Sequence, residues 1–339
     1  MTDRPDSLTL DRHWNGRSVL VTGAGGFIGS HLVQRLVVAG ARVRAFVRYN
    51  SRNDHGWLEE FDTDVKASLE VFRGDLTNPE AVSAALDGCA TAFHLGALIP
   101  IPYSYRHPRE FVTTNVFGTF NVLDAARRMG IDRLVHVSTS EVYGSPEVVP
   151  IRETHPLHAQ SPYAATKIAA DQLALSYYAT FGTNVVIARP FNTFGPRQSA
   201  RAVIPTIITQ ALQGPEIRVG TTTTRRDFVY VTDTVEGILR CGETTGLESA
   251  VLNLGTGVDV SVDDILTLVS EILDRELRVV HEAARVRPPR SEVDRLVANS
   301  ERAAEVLGWR PAVSLHEGLR RTVEWLASSL DAYKFFYNV

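Results

Sequence analysis

Thr22-Gly23-Ala24-Gly25-Gly26-Phe27-Ile28-Gly29 is the stretch that decides the fold of this 339-residue chain. It follows an apolar run, 18–21, and opens a segment in which apolar residues recur at helical spacing as far as Gly40. A strand, a glycine turn and a helix in this order are typical of dinucleotide-binding proteins, because small residues let the backbone approach a pyrophosphate at the helix N-terminus. A plain tight turn is the weaker alternative, since it requires neither the strand nor the helix. The residues that this turn assigns to a cofactor are Gly23, Gly26, Phe27, Ile28 and Gly29.

Strands and helices alternate along the first 190 residues. The strands predicted from apolar runs are 18–21, 41–47, 69–72, 90–95, 134–137 and 185–188. The longer segments with helical periodicity are 79–86, 108–129 and 162–181. This alternation predicts an α/β fold with a doubly wound parallel sheet of the Rossmann type. We expect a loose N-terminal arm over residues 1–16, a cofactor-binding domain over 17–190, and a smaller, mainly substrate-binding region over 191–339 that returns late elements to the sheet.

Composition and charge argue against several classes of function. The formal net charge of -4 provides no basic field for nucleic acid. No apolar run approaches the roughly 20 residues of a membrane span, and the polar N-terminus has no signal-peptide core. Cys89 and Cys241 follow no metal-binding spacing, so we expect no metal site, two buried thiols and a reducing, cytoplasmic location. His94 and His136 lie on apolar strands and are expected to pack in the core.

The end of the second predicted strand bears on the identity of the cofactor. NAD-binding proteins of this fold carry an acidic residue there, whereas this chain has Arg48, whose guanidinium would pair with a 2′-phosphate. The sequence therefore favours NADP, and the alternative is a solvated Arg48 with NAD bound through backbone groups. Asp75 and Leu76 follow the third strand and could reach the adenine or form an ordinary turn. Leu95 and Ala97 follow the fourth strand and are expected to run beside the cofactor.

A catalytic group is predicted after the fifth strand and on the helix that follows it. Tyr163 and Lys167 are one helical turn apart, which places both on one face. The Lys167 ammonium and an oxidised nicotinamide would both favour tyrosinate, so we expect the pKa of Tyr163 to fall from about 10 toward neutrality. A tyrosinate can take a proton from a substrate hydroxyl while hydride leaves. Thr139 can hydrogen-bond to the same oxygen.

These residues make the chain similar to the extended short-chain dehydrogenase/reductase enzymes that act on nucleotide sugars. The resemblance covers nearly all of residues 17–326. The motifs that carry it are the glycine turn, 74–76, 115–119, 138–144, Tyr163 with Lys167, 189–192, 195–197 and 307–309. It implies that Thr139, Tyr163 and Lys167 perform redox chemistry on a tightly bound oxidised cofactor, which Asn115 and Pro190 also contact. It further implies a homodimer in which the helices at 108–129 and 162–181 form a four-helix bundle with their copies.

Glu141 distinguishes reactions within this family. In the 4,6-dehydratases a carboxylate at this place removes the C5 proton from a 4-keto intermediate, the C6 hydroxyl leaves as water, and hydride returns to C6. Ser140-Glu141 resembles the GDP-mannose 4,6-dehydratase arrangement, whereas glucuronate decarboxylases of the family share Thr-Ser-Glu. Glu141 could also be a mere structural partner of a backbone amide. The runs 46–51 and 196–205 resemble the nucleotide-hexosamine 4,6-dehydratases of legionaminic acid synthesis, a branch usually described as NAD-dependent.

The nucleotide-sugar end is predicted in the C-terminal half, where this acidic chain collects arginines whose guanidinium groups match diphosphate oxygens. The residues assigned to the substrate are Ser140, Asn192, Arg197, Arg226, Arg287 and Glu292, the last of which could instead hold a ribose or an arginine. We therefore predict a nucleotide-sugar 4,6-dehydratase with NADP or NAD. A 4-epimerase needs no C5 base, and a uronate decarboxylase needs a cationic pocket. A non-catalytic NAD(P)-sensing module would have no use for Thr139, Tyr163 and Lys167 together.

Overall fold

Seven parallel strands form the main sheet of the computed structural model, which describes residues 12–333. They are β1 (Ser18–Thr22), β2 (Arg42–Arg48), β3 (Leu69–Gly74), β4 (Thr91–His94), β5 (Arg133–Val137), β6 (Val185–Pro190) and a late strand, Val251–Leu254. Their spatial order is β3-β2-β1-β4-β5-β6 and then the late strand. The direction of winding reverses between β1 and β4, which is where open α/β sheets bind their ligands. The predicted doubly wound Rossmann-type fold is confirmed.

The main sheet is buried on both faces, which explains why its strands are near-continuous apolar runs. Val19 and Val21 of β1 face one apolar core, while Leu20 between them faces the other. Helices cover both faces. The α-helices described are Phe27–Val38, Thr63–Ala67, Pro79–Leu86, Ile101–Arg106, Pro108–Phe111, Gly118–Met129, Pro162–Phe181, Val203–Gln213, Val231–Glu243, Val262–Leu273, Glu301–Leu307 and Leu315–Ser328.

Beyond β6 the chain forms smaller sheets as well as the late strand. The strand Arg225–Tyr230 pairs with Asn192–Phe194, Asp259–Ser261 and Arg295–Leu296. A separate pair joins Glu216–Val219 to Arg278–His281. The late strand lies parallel to β6 at the edge of the main sheet. The chain after residue 190 therefore contributes both to its own small sheets and to the main sheet.

The helix predicted over 108–129 is divided by a π-helical turn. Pro108–Phe111 and Gly118–Met129 are α-helical, and Val112–Phe117 between them is π-helical. Turns of this kind are frequent at functional sites, and Thr114 of this one lines the cavity described below. Apolar periodicity does not reveal such a turn, because one inserted residue barely changes a pattern of 3.6 residues per turn.

Part of the predicted N-terminal arm is packed onto the domain. Residues 1–11 lie outside the described residues. Trp14 is fully buried, and its ring centroid is 5.5 Å from that of Phe93 in β4. A Cβ on Gly242 would come within 2.9 Å of the same indole. The expectation of a loose arm is therefore wrong for its described end, because burial of the indole fixes the chain there.

Candidate active site

A cavity of about 700 Å³ runs along the carboxyl ends of the central strands. The predicted cofactor residues that line it are Gly23, Gly26, Phe27, Ile28, Gly29, Arg48, Asp75, Leu76, Leu95, Ala97, Tyr163, Lys167 and Pro190. Thr139, Ser140 and Glu141 line the same cavity. The Ser138 hydroxyl in its wall is buried and has no hydrogen-bond partner among residues 12–333. A cavity of this volume that is lined by both a glycine turn and these polar side chains fits a nicotinamide dinucleotide.

The glycine turn owes its shape to close contacts between backbones. Gly23 has a φ of +69°, and a Cβ there would lie 2.9 Å from the backbone nitrogen of Gly96. A Cβ on Gly29 would lie 2.1 Å from the carbonyl oxygen of Gly23. Side chains at these two positions would force the strand, the turn and the helix apart. The glycine spacing in the sequence therefore reflects helix–strand packing as well as room for a pyrophosphate.

Tyr163 and Lys167 lie on the buried face of the Pro162–Phe181 helix, as their spacing predicted. Lys167 Nζ donates a hydrogen bond to the carbonyl oxygen of Val137, the last residue of β5, at 2.8 Å. Thr139 follows β5, and its hydroxyl accepts a hydrogen bond from the backbone N–H of Glu141 at 3.2 Å. The end of β5 therefore gathers all four predicted catalytic side chains at one wall of the cavity.

The pKa of Tyr163 departs from the prediction. Burial raises this pKa above its ordinary value, and a hydrogen bond with Thr139 only partly opposes the rise. Burial also lowers the pKa of Lys167 to about 8, and its ammonium is directed to Val137 rather than to the phenol. The expected fall of the Tyr163 pKa toward neutrality is therefore wrong for the chain by itself, because desolvation of a phenolate, to which the negative charges of Glu141 and Asp171 add, outweighs the Thr139 hydrogen bond.

Asn115 lies behind the cavity wall rather than in it. Its side-chain amide accepts a hydrogen bond from the backbone N–H of Leu98 at 2.8 Å and donates one to the Leu98 carbonyl oxygen at 2.9 Å. Leu98 itself lines the cavity. This side chain is 1% exposed and holds the segment after β4 in place, so direct contact of Asn115 with a cofactor stays a prediction.

His94 and His136 are buried, as predicted, and burial lowers the pKa of both rings. His94 Nε2 lies 3.0 Å from the Thr119 hydroxyl, which donates its own proton to the Asn115 carbonyl oxygen. This assigns the ring proton to Nε2, so that Nδ1 accepts from the Thr22 hydroxyl at 2.8 Å. A neutral His94 thus links Thr22 of β1 to Thr119 of the Gly118–Met129 helix, next to the π-helical turn that carries Asn115.

A second cavity of about 310 Å³ adjoins the first. Asn192, Thr193 and Gln198 line both cavities, and Arg226 and Glu292 line the second. The predicted substrate residue Asn192 therefore lies at the junction. Thr193 and Gln198 were not predicted as site residues: Thr193 belongs to none of the motifs quoted above, and Gln198 lies in the run 196–205, to which no ligand role was assigned for it.

Opposite charges are concentrated where the two cavities meet. Arg287 also lines the second cavity, and its Nη1 lies 4.0 Å from Glu141 and 3.7 Å from Glu292. Arg226 Nη2 lies 3.4 Å from Glu292, and burial lowers the pKa of this guanidinium. Arg287 Nη1 is buried without a hydrogen-bond partner among the described residues. The Arg226 and Arg287 guanidinium groups suit an anionic ligand, since Arg287 Nη1 beside Glu141 still has a hydrogen bond to donate.

Arg197 is the predicted substrate residue that the structure does not bring to this cluster. Its φ of +68° turns the side chain back toward the Phe27–Val38 helix. There Nη2 donates a hydrogen bond to Gln34 Oε1 at 2.8 Å, and the guanidinium stacks over the Phe61 ring at 5.1 Å. Arg197 lines neither cavity, and its contacts brace the loop, so its role as a diphosphate ligand stays a prediction to which this placement lends no support.

The loop after β2 is a part of the site that the sequence did not reveal. Asn50, Asp54, His55 and Gly56 line the first cavity. A Cβ on Gly25 would lie 2.3 Å from the His55 carbonyl oxygen, so the loop crosses directly over the glycine turn. Gly25 and Gly56 permit this crossing because neither carries a Cβ. They lie far apart in the sequence, so their contact is evident only in the folded structure.

Residues 12–333 contain neither a cluster of metal ligands nor a helix suited to span a membrane. No group of three or more His, Cys, Asp or Glu side chains is arranged to hold a metal ion. Within the same residues, none of the helices is long and apolar enough to span a membrane. Cys89 and Cys241 are free and buried, as predicted.

Comparison with known proteins places these features in context. The family model described as GDP-mannose 4,6 dehydratase matches residues 20–322. UDP-glucuronic acid decarboxylase 6 of Arabidopsis thaliana is 35% identical over 326 residues, which span 89% of this chain and 86% of that protein. UDP-glucose 4-epimerase of Mycolicibacterium smegmatis is 33% identical, with 90% and 97% covered. The crystal structure of DesIV, a dTDP-glucose 4,6-dehydratase from Streptomyces venezuelae with NAD and TYD bound, has a TM-score of 0.83 at 30% identity, covering 94% of this chain and 99% of DesIV.

Proposed function

Because this chain belongs to the GDP-mannose 4,6 dehydratase family of extended short-chain dehydrogenase/reductase enzymes, we propose that it is a nucleotide-sugar 4,6-dehydratase. The observation that carries the proposal is the position of Glu141, in the same cavity wall as Tyr163, Lys167 and Thr139. A carboxylate there has no role in oxidising C4, but it can serve a second proton transfer at C5. The substrate would be a nucleoside-diphosphate hexose or N-acetylhexosamine.

The first step oxidises the C4 hydroxyl of the sugar. When bound, the oxidised nicotinamide supplies the hydride acceptor and later returns the same hydride. Tyr163 takes the hydroxyl proton, and Thr139 hydrogen-bonds to the same oxygen. Lys167, one helical turn from Tyr163 and fixed by Val137, would supply positive charge to the wall of the cavity in which the tyrosinate forms.

The second step removes water. The C5 proton next to the new ketone is acidic, and Glu141 takes it while the C6 hydroxyl leaves and is protonated to water. The resulting double bond accepts the hydride at C6 and a proton at C5, and C4 remains a ketone. The product is a 4-keto-6-deoxy sugar, and a bound cofactor would be oxidised again at the end of each turnover. NAD and NADP would both serve this chemistry.

The second cavity is proposed to hold the nucleoside diphosphate. Asn192 lies at its junction with the first cavity, and Arg226 and Arg287 supply positive charge along its wall. Arginine forks pair with diphosphate oxygens, so the buried Arg226 would gain partners on binding. Glu292 lies between the two guanidinium groups and limits their mutual repulsion.

A uronate decarboxylase is the second candidate, and one observation favours it. Arg287 Nη1 is buried, has no hydrogen-bond partner among the described residues, and lies beside Glu141. A guanidinium in that position could bind the C6 carboxylate of a uronate. Oxidation at C4 would then allow carbon dioxide to leave from C5, after which the enolate would take up a proton at C5 and hydride would return to C4, so no proton has to be removed from C5.

A homodimer is proposed from the exposed apolar surface of two helical segments. The large apolar side chains exposed there include Val112, Phe117, Phe120, Met129, Tyr178 and Phe181. Several large exposed apolar side chains on neighbouring helices favour a protein–protein interface. A four-helix bundle formed by the two segments and their copies would bury it. The cytoplasmic location stays a prediction, for which the two free thiols are the support.

The test is mass spectrometry of the purified protein with separate UDP-, dTDP-, GDP- and CDP-hexoses and UDP-glucuronate, without added cofactor. Loss of one water from a hexose would support the proposal and identify the substrate. Loss of carbon dioxide from UDP-glucuronate would favour the decarboxylase instead. An unchanged mass with inverted stereochemistry at C4, detected by NMR, would identify a 4-epimerase.

A further inference from the structure

The adenosine end of the first cavity carries side chains of both charges. Arg48, at the end of β2, and Asp54, in the loop that follows, both line it near the glycine turn. The first would attract a 2′-phosphate and the second would repel one. The choice between NAD and NADP therefore depends on which side chain is held against the ribose.

Asn50 gives the loop a fixed conformation. Its Oδ1 accepts hydrogen bonds from the backbone N–H groups of Arg52 and Asp54, both at 3.1 Å, and its Nδ2 donates to the Asp54 carbonyl oxygen at 2.6 Å. The Asp54 carboxylate accepts a hydrogen bond from the Gly56 N–H through Oδ1 at 2.7 Å. Oδ2 is 3.9 Å from the exposed Arg52, a weak pairing that leaves it able to accept from a ligand.

The same loop is fastened to the glycine turn. The Trp57 N–H donates a hydrogen bond to the Gly25 carbonyl oxygen at 3.0 Å. The Trp57 ring packs against Trp325 of the last long helix, with ring centroids 5.5 Å apart. Asp54 is therefore held beside the turn that would bind the pyrophosphate, which is where the adenosine ribose must lie. Arg48 is exposed, and among residues 12–333 no hydrogen bond or ion pair holds its side chain in a comparable way.

We propose that Asp54 binds the hydroxyls of the adenosine ribose and makes the protein select NAD over NADP. It would replace the acidic residue that ends the second strand in other NAD-binding proteins of this fold. A carboxylate accepts hydrogen bonds from both ribose hydroxyls, whereas a 2′-phosphate would bring a second negative charge within a few ångströms of it. This assignment opposes the preference for NADP that Arg48 alone suggested.

The inference rests on the proposed function only through the nicotinamide cofactor, so its test measures cofactor identity and needs no sugar. Purified wild-type, Asp54→Asn and Arg48→Ala proteins are denatured, and the NAD and NADP released per chain are quantified by mass spectrometry. Dissociation constants for added NAD and NADP are measured on each protein after its cofactor has been exchanged out. Asp62→Asn, which changes an exposed carboxylate outside the cavity, is the matched control.

We expect the wild-type protein to release mainly NAD. The NAD preference is the ratio of the two dissociation constants, and Asp54→Asn should lower it by about 10-fold or more, because the substitution removes one negative charge within a few ångströms of the 2′-phosphate. Because the loop is exposed, the wild-type preference should shrink at 1 M salt. Arg48→Ala and Asp62→Asn should leave NAD preferred. A wild-type protein that prefers NADP, or an Asp54→Asn variant with an unchanged ratio, would overturn the inference, whatever the outcome with nucleotide sugars.

Discussion

Arg189 donates two hydrogen bonds to one oxygen of Asp171, from Nε at 3.1 Å and from Nη2 at 2.9 Å. Asp171 is completely buried one helical turn after Lys167. Its other oxygen lies 3.3 Å from His136 Nε2 in β5, and Arg189 in β6 also donates to the Tyr143 hydroxyl at 3.0 Å. A buried ion pair therefore fastens the helix that carries the predicted catalytic residues to two central strands.

Removal of one partner should cost much of the stability of the fold. Asp171→Ala leaves the Arg189 guanidinium buried without its counter-charge, which typically lowers the free energy of unfolding by about 3–5 kcal/mol. Urea unfolding measures the change. Glu301→Ala, which removes an exposed ion pair with Arg152, should have no measurable effect. Equal urea midpoints for Asp171→Ala and the wild type would show that the buried pair is not needed to hold the helix.

Tyr163→Phe should block the first half-reaction without disturbing the fold. The variant keeps the buried ring but removes the group that accepts the C4 proton, so we expect cofactor reduction by the substrate to slow by about 10²–10⁴-fold. Stopped-flow absorbance at 340 nm follows this step. Tyr178→Phe changes a more exposed hydroxyl of the same helix and should react like the wild type. A Tyr163→Phe variant with an unchanged rate would assign the proton to another group.

Glu141→Gln should separate the two steps of the proposed reaction. The amide cannot take the C5 proton, so we expect water loss to fall by about 10²-fold or more while the nucleotide sugar still reduces the bound cofactor. Mass spectrometry measures the first quantity and absorbance at 340 nm the second. Glu147→Gln, at an exposed carboxylate outside both cavities, is the control. If Glu141→Gln loses water at the wild-type rate, the dehydratase assignment of this carboxylate fails.

Local patterns carried most of the sequence-based prediction. The glycine turn, and the pairing of Tyr163 with Lys167, depend on spacings of three or four residues within one element. The backbone geometry of a strand, turn or helix fixes the relative positions of residues at such spacings, so these positions can be predicted without knowledge of the tertiary structure. The same holds for His94 and His136, whose burial followed from their position in apolar strands.

Contacts between distant loops were beyond the sequence. Arg197 stands in a motif with an expected ligand role, yet its positive φ turns it toward Gln34, 163 residues away. Asn115 belongs to another motif, but its side-chain amide is hydrogen-bonded to the Leu98 backbone. Asp54 belongs to no motif at all, and it reaches the cavity only because its loop crosses the glycine turn. Tertiary packing determines where these three side chains lie, and the spacing of residues within a motif does not predict that packing.

Gly25→Ala should weaken cofactor binding. The added methyl group would lie 2.3 Å from the His55 carbonyl oxygen, so the loop that carries Asp54 must move away from the turn. We expect less NAD or NADP per purified chain than in the wild type, measured by mass spectrometry after denaturation. Gly214→Ala is the matched control, because a Cβ there meets no atom within 4 Å and the backbone is extended. Equal cofactor content in all three proteins would mean that the loop contact does not support binding.

Glu243 should make stability depend on pH through a group outside the site. Burial raises the pKa of this carboxyl at the end of the Val231–Glu243 helix to about 7, Glu236 adds to the rise, and Arg240 and Arg35 oppose it. The unfolded value is about 4.3, so between these two pKa values the folded chain binds more protons at this group than the unfolded chain. Its contribution to the free energy of unfolding therefore falls as pH rises through that window and stays unfavourable above it.

Glu243→Gln removes this penalty and also a negative charge at a helix C-terminus. We expect the variant to be more stable than the wild type at pH 8 by on the order of 1–2 kcal/mol, a figure reduced for partial solvent exposure. The gain should shrink by pH 5, where the folded wild-type carboxyl is protonated. Urea unfolding at both pH values gives the two differences. Glu305→Gln, at an exposed carboxyl in the last turn of the Glu301–Leu307 helix, should show only the small gain from the helix dipole, equal at both pH values. A gain of equal size at pH 5 and pH 8 would mean that the Glu243 carboxyl ionises alike in the folded and unfolded chains, and that the helix dipole alone accounts for the stabilisation.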